Sequence, residues 1–301
     1  MTSLLATTLR RMRRTTPAPV PATPKASPDD VNAVDLAFVV DTTGSMGGLI
    51  AAAQCQMIQM VAELSGAADV DLRLGVVEYR DHPPQDTMVY RVHPLTGDLA
   101  AAQRVIMNLG PAGGGDVPEA VLDGVIAAAR ELAWRPHARR LAVLVGDAPP
   151  HGVGRRFGDR FPDGCPCGET IESAACAAEV ARMTLYAIGL TPSVVETFTG
   201  LSHLTGGRYF AAAEGSAAIA HLAGILGAEF GDLELDRGVL DVARAAGEAD
   251  ELSVDDLAMR LGKTRHAVSA SLVRLRSRGL IETPAPATDA AEGPRAAGEG
   301  A

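Results

Sequence analysis

Through most of the chain, short apolar runs alternate with stripes of apolar residues at helical spacing. Leu36 to Val40 is a short run, too rich in β-formers for a helix, and reads as a buried strand. From Leu49, the positions Leu49, Ile50, Ala53, Met57, Val61 and Leu64 recur at helical spacing. Asp71 to Arg80 reads as a second strand running into the turn Asp81-His-Pro-Pro84, and Val89 to Leu95 as a short edge strand returning from it. A helix over Leu99 to Leu109 ends at Gly110-Pro111. Gly113-Gly-Gly-Asp-Val-Pro-Glu119 then opens another, with Asp116 as its cap and Pro118 in its first turn. Strands follow at Leu141 to Gly146, Thr184 to Leu190 and Arg208 to Ala212. Between and after them lie helices at Glu169 to Met183, Ser193 to Leu204 and Ser216 to Leu226. This alternation predicts an α/β fold with a doubly wound, mostly parallel sheet over residues 33–228.

The chemistry gathers where strands end. The first predicted strand stops at Asp41, followed by Thr43, Ser45 and a glycine pair, and the Leu141 to Gly146 strand stops at Asp147. Open α/β sheets bind ligands at such strand-to-helix turns. One carboxylate and two hydroxyls are hard oxygen donors suited to a small divalent cation that keeps several waters. Read alone, the same residues also suit a capped turn.

Composition narrows the classes. The chain has 301 residues, is 47% apolar and 4% aromatic, and carries a net charge of −10, which disfavours non-specific nucleic-acid binding by the whole surface. No stretch approaches the ~20 apolar residues of a membrane helix. The basic cluster Arg10, Arg11, Arg13 and Arg14 follows the first apolar residues, the reverse of a secretory signal. Four cysteines make no disulfide scaffold at this length, so the expected compartment is the cytoplasm. Residues 1–32 and 284–301, rich in Pro and Ala, read as a disordered arm and tail.

The segments Asp41-Thr-Thr-Gly-Ser-Met46, Gly113-Gly-Gly-Asp-Val-Pro-Glu119 and Val145-Gly-Asp-Ala-Pro-Pro-His151 resemble the metal-ion-dependent adhesion site of von Willebrand factor A (vWA) domains. With Tyr79-Arg-Asp-His82 they look most like the vWA domains that accompany alpha-kinases, although no kinase segment is present. The resemblance implies a Mg²⁺ site, with Mn²⁺ the other candidate ion. Asp41, Thr43, Ser45 and Asp147 would be its ligands, and Asp116 would stand where the family has a threonine. It also implies a protein partner presenting Asp or Glu to the ion, and no catalysis.

The residues also suit two other chemistries. Arg80, Asp81 and His82 could serve a metal-assisted hydrolase, against a structural salt bridge from Arg80. His151, Cys165, Cys167 and Cys176 could bind zinc. However, Cys-x-Cys is not the usual spacing and Cys176 falls within a predicted helix, so a metal-free thiol pair is expected.

Residues 229–283 read as a small all-α module. Glu229 to Asp250 has the pattern of a helix or two. After it, Ser253 caps a short helix, Gly262 makes a turn, and Thr264 caps a second helix with Val268, Leu272 and Leu275 as its inner stripe. The stretch resembles the helix-turn-helix of winged-helix bacterial regulators. From Lys263 to Arg278 there is no carboxylate among five Lys and Arg. Lys263, Thr264, Arg265, His266, Ser269 and Arg274 are the candidate contacts to double-stranded DNA, a mode that calls for a homodimer. The alternatives are a protein-contact module, making the chain an adaptor, and a transcription regulator with a vWA sensor.

Overall fold

The structure is a computed structural model that describes residues 24–52, 54, 70–153, 158–246 and 252–282. A six-stranded sheet runs in the order β3-β2-β1-β4-β5-β6. Its strands are β1 (Ala33–Asp41), β2 (Asp71–Tyr79), β3 (Tyr90–Thr96), β4 (Arg139–Gly146), β5 (Met183–Gly189) and β6 (Tyr209–Ala211). All neighbours are parallel except β2 and β3, which pair antiparallel at the edge. The helices are α1 (residues 47–52), α2 (Leu99–Met107), α3 (Val121–Glu131), α4 (Ile171–Val180), α5 (Val195–Leu204), α6 (Gly215–Ala246), α7 (Val254–Leu261) and α8 (Arg265–Ser277).

Strand periodicity divides the core into two layers. Val34, Leu36 and Phe38 of β1 pack with Leu49, Ile50, Ile106, Leu222 and Ile225 on one face. Ala37 and Val39 point the other way, against Val121, Val125, Ala174 and Phe198. With both faces covered, the central strands carry apolar residues at nearly every position, which is why they read as runs. A third core joins Val239 and Leu240 of α6 to Leu257, Val268, Leu275 and Leu280.

Several expectations need correction. α3 starts at Val121 with Ala120 as its cap position, so Asp116 caps nothing. Its carboxylate instead accepts from the Gln85 side chain at 3.0 Å and the Arg160 amide at 2.6 Å. The boundary expected between residues 228 and 229 falls inside α6, one continuous helix of 32 residues. Residues 24–32 of the expected disordered arm are ordered. Ser27 caps a short 3-10 turn, Pro28–Asn32, and Val31 is buried in the third core. Carbonyls of Asp30 and Val31 accept from the Arg278 guanidinium at 2.6 and 3.0 Å, which ties that segment down. Residues 1–23, Cys55 and residues 283–301, with the expected tail, lie outside the described residues. Among the described residues, no helix is long and apolar enough to cross a membrane.

Buried ions dock the C-terminal module on the sheet. Arg139, the first residue of β4, meets Glu229, Asp232 and Asp236 of α6. Arg274 of α8 grips Asp236 with Nη2 at 2.6 Å and Nε at 3.0 Å. The docking face is thus the N-terminal edge of the sheet, whereas Asp41 and Asp147 stand at the C-terminal edge. At ~3.3 Å per residue, strands of this length put the two ends roughly 25 Å apart.

Candidate functional site

Asp41 ends β1 and is fully buried. Its Oδ1 accepts from the Thr43 amide at 2.8 Å and the Thr43 hydroxyl at 2.6 Å, and Thr43 Oγ1 lies 3.3 Å from Ser45 Oγ. The loop holding them is fastened on both sides. Thr42 N donates to Tyr79 O at 3.0 Å, Ala112 N to Thr42 O at 3.0 Å, and Gly44 N to Gly113 O at 3.4 Å. Arg80 braces it from outside, with Nε on Thr42 Oγ1 and Nη2 on Gly110 O, both at 3.2 Å. Its Nη1 lies 4.0 Å from Asp86, so Arg80 acts structurally here.

The second loop brings a residue that sequence reasoning passed over. Glu119 is 3% exposed, its amide donates to Pro149 O at 3.0 Å, and it bridges to Pro150 of the third loop. Gly113 and Gly114 have φ of +72° and +79°, a region that favours glycine. A β-carbon on Gly114 would lie 3.2 Å from Glu119 Oε1 and 3.3 Å from Thr43 Cβ, so its bareness lets the two loops close. Thr43, Gly44 and Ser45 line one cleft with Gly113–Asp116 and Glu119, and Ser45 lines a second with Asp147 and Thr191. Asp147 is held by its carbonyl, which accepts from Thr191 Oγ1 at 2.5 Å.

Among the described residues, the buried oxygens without hydrogen-bond partners include Asp41 Oδ2, Glu119 Oε2, Asp147 Oδ1 and the Tyr79 hydroxyl. Leaving such groups unmatched is costly. Burial pushes the Asp41 carboxyl up to about 7; Asp147 adds to this, while the Thr43 bonds and Arg80 oppose it. Glu119 is pushed up to about 10, by burial first and then by the charges of Asp41, Asp81, Asp116 and Asp147. The Tyr79 phenol is raised for the same reasons. Orphaned carboxylate oxygens that repel one another beside two hydroxyls fit a hard divalent cation, and the donor set is all oxygen. Asp116 lines the Thr43 cleft, but both its oxygens are engaged elsewhere, which leaves Glu119 as the unsatisfied carboxylate of the second loop.

The hydrolase set is also engaged internally. Asp81 Oδ1 accepts from its neighbour's amide, His82 N, at 2.6 Å and pairs with His151 Nε2 at 2.7 Å. His82 Nε2 lies 3.1 Å from Asp123 Oδ2.

At the other end, Ser253 and Asp256 form a reciprocal cap, Gly262 has φ +60°, and Thr264 Oγ1 accepts from Ala267 N at 3.2 Å. Lys263, Thr264, Arg265, His266 and Ser269 are exposed, and Arg265 pairs with Asp255 at 2.9 Å. Arg274 is the exception among the DNA candidates, since its guanidinium is spent on Asp236. Arg278 is likewise turned inward, onto backbone carbonyls, so the basic face is smaller than the sequence suggests.

Residues 35–144 match the family model described as von Willebrand factor A domain. The chain carries a vWA domain. Residues 235–291 match the model for the MarR family, covering α7 and α8. The vWA segment is similar to the alpha-protein kinase vwkA of Dictyostelium discoideum, at 29% identity over 139 residues, 45% of this chain and 22% of that protein. It is also similar to an ariadne-like RING finger protein of Acanthamoeba polyphaga mimivirus, at 29% over 123 residues, 41% of this chain and 12% of that protein. The chain thus spans less than a quarter of these relatives. Among solved structures, BatB from Bacteroides thetaiotaomicron is similar at 15% identity and a TM-score of 0.46, over 64% of this chain and 97% of that one. The pairing of a vWA domain with a MarR-like module supports a regulator or adaptor.

Proposed function

We propose that the vWA domain is a Mg²⁺-dependent binding site for a protein carboxylate, and that the MarR-like module carries that event to DNA or to a second protein. The observation that supports it is the set of orphaned buried carboxylate oxygens of Asp41, Glu119 and Asp147 bordering the clefts lined by Thr43 and Ser45. These residues would hold Mg²⁺ or Mn²⁺, and the ion, keeping part of its coordination shell open, would supply an electrophilic position for an Asp or Glu side chain. Asp41 orients the two hydroxyls through Thr43, the glycine loop keeps Glu119 close to Thr43, and Arg80 fixes the loop from behind. This is binding chemistry and requires no catalytic group.

The test is thermal unfolding of the full chain in chelator and in Mg²⁺ across pH. The folded pKa of Asp41, about 7, stands above its ordinary 3.8. Without cation, its neutral form therefore contributes stability that is complete below about pH 4 and lost as pH rises through about 7. Glu119 extends that loss towards pH 10. Cation binding needs the charged forms, so the Mg²⁺-induced rise in Tm should be small at pH 5 and large at pH 8. An equal rise at both, or none, counts against the site. Capture of an acidic peptide that persists in chelator would remove the carboxylate reading.

The MarR match and the exposed N-terminal turn of α8 favour DNA as the other partner. A homodimer would then set the half-site spacing. Arg265→Ala should weaken duplex binding and lower the salt slope by about 1, the effect of one lost phosphate contact. An unchanged salt slope would assign the module to protein contact.

A further inference from the structure

Outside the oxygen site, the structure gathers a second set of ligands with different chemistry. His82 follows the end of β2, Asp123 lies in α3, and Cys165 and Cys167 come from the loop before α4. Their Nε2, carboxylate oxygen and two Sγ atoms all lie within 4.8 Å of one another. Cys165 Sγ is 3.4 Å from His82 Nε2 and 3.2 Å from Asp123 Oδ2, and His82 Nε2 is 3.1 Å from the same oxygen. A tetrahedral zinc ion with bonds of about 2.0–2.3 Å holds its ligand atoms roughly 3.3–3.8 Å apart, close to these separations.

The set differs from the one the sequence offers. His151 is excluded because both ring nitrogens are taken, by Asp81 at 2.7 Å and Asp159 at 2.9 Å. Cys176 sits exposed on α4. The Cys-x-Cys pair instead finds its partners 83 and 42 residues upstream.

We infer that His82, Asp123, Cys165 and Cys167 form a structural zinc site that pins the loop before α4 onto β2 and α3. Four protein ligands make a closed set of the structural kind, leaving no position for water or substrate. The Cys167 amide donates to Cys165 Sγ at 3.4 Å, a backbone bond that steadies a thiolate. His82 is 3% and Asp123 6% exposed, while Cys165 is half-buried and Cys167 is exposed, which gives an entry path from the loop side. Binding releases the two thiol protons and any proton on His82, so affinity rises with pH. The two thiolates are soft and the imidazole is borderline, so three of the four donors discriminate against the Mg²⁺ expected at Asp41.

The experiment is metal analysis of the full chain after incubation with Zn²⁺ and exhaustive dialysis, alongside titration with Co²⁺ as a spectroscopic probe. The expected result is one retained zinc per chain. The cobalt form should show thiolate-to-metal charge transfer and intense tetrahedral bands. The double variant Cys165→Ser, Cys167→Ser should lose the charge transfer and more than ~100-fold in zinc affinity. Asp41→Ala should keep both signals, which separates this site from the oxygen site whether or not that one binds Mg²⁺. Absence of charge transfer in the wild type, which needs no variant to fold, overturns the proposal. Zinc retained by the double variant but lost from Asp41→Ala overturns it as well.

Discussion

Replacing Asp41 by alanine should abolish the proposed response to Mg²⁺ while leaving the chelated protein folded. A cation at a hundred times its dissociation constant adds about 2.7 kcal/mol to the native state. For a unit of this size that corresponds to a Tm shift of roughly 5–10 °C, and the variant should show none. Losing the two bonds from Thr43 to Asp41 Oδ1 costs stability, and removing the orphaned, fully buried Oδ2 offsets part of that cost. Its loss also relieves Glu119 and Tyr79, whose ionisation its charge opposes. Two companion variants identify the second-loop ligand by titration calorimetry. Glu119→Gln should lower Mg²⁺ affinity about tenfold or more, roughly 1.4 kcal/mol. Asp116→Asn should stay close to wild type, because Asp116 already bonds Gln85 and Arg160. The reverse ranking restores Asp116 as the ligand.

The second large effect lies at the opposite end of the sheet. Asp236 is fully buried between Arg274, at 2.6 Å, and Arg139, at 3.6 Å. Asp236→Ala removes the carboxylate shared by two guanidinium groups and should cost about 3–5 kcal/mol in urea unfolding of the full chain. The loss comes from uncompensated charge more than from the bond itself. The double variant Asp236→Leu, Arg274→Met should therefore recover much of it. A cost within about 0.5 kcal/mol of wild type for the single variant would mean that this network contributes little to docking.

What the sequence disclosed follows from range. The strands and the Asp41, Thr43, Ser45 cluster depend on near neighbours: a run of apolar residues, an abrupt polar end, a two-residue spacing. Asp147 was visible for the same reason, as the residue after a buried strand. Glu119 was hidden because its position depends on two left-handed glycines and a bridge to Pro150, which no periodicity marks. Arg274 looked like a phosphate contact because its partner, Asp236, lies 38 residues away on another helix. For the cysteine loop the sequence offered His151, nearby in the chain, whereas the structure sets His82 Nε2 3.4 Å from Cys165 Sγ, 83 residues apart. Residues 24–32 read as disordered because prolines disfavour regular elements, whereas their order comes from carbonyls offered to Arg278.

The continuous helix α6 has a consequence for how this molecule can be divided. Ala218, Leu222, Ile225, Leu226 and Leu233 complete the core of the sheet, and Val239 and Leu240, further along the same helix, complete the core of the C-terminal module. A cut before Leu233 strips one core and a cut after it truncates the helix on which the other is built. The two halves share a beam rather than a tether, and no single break within that helix leaves both roofs supported.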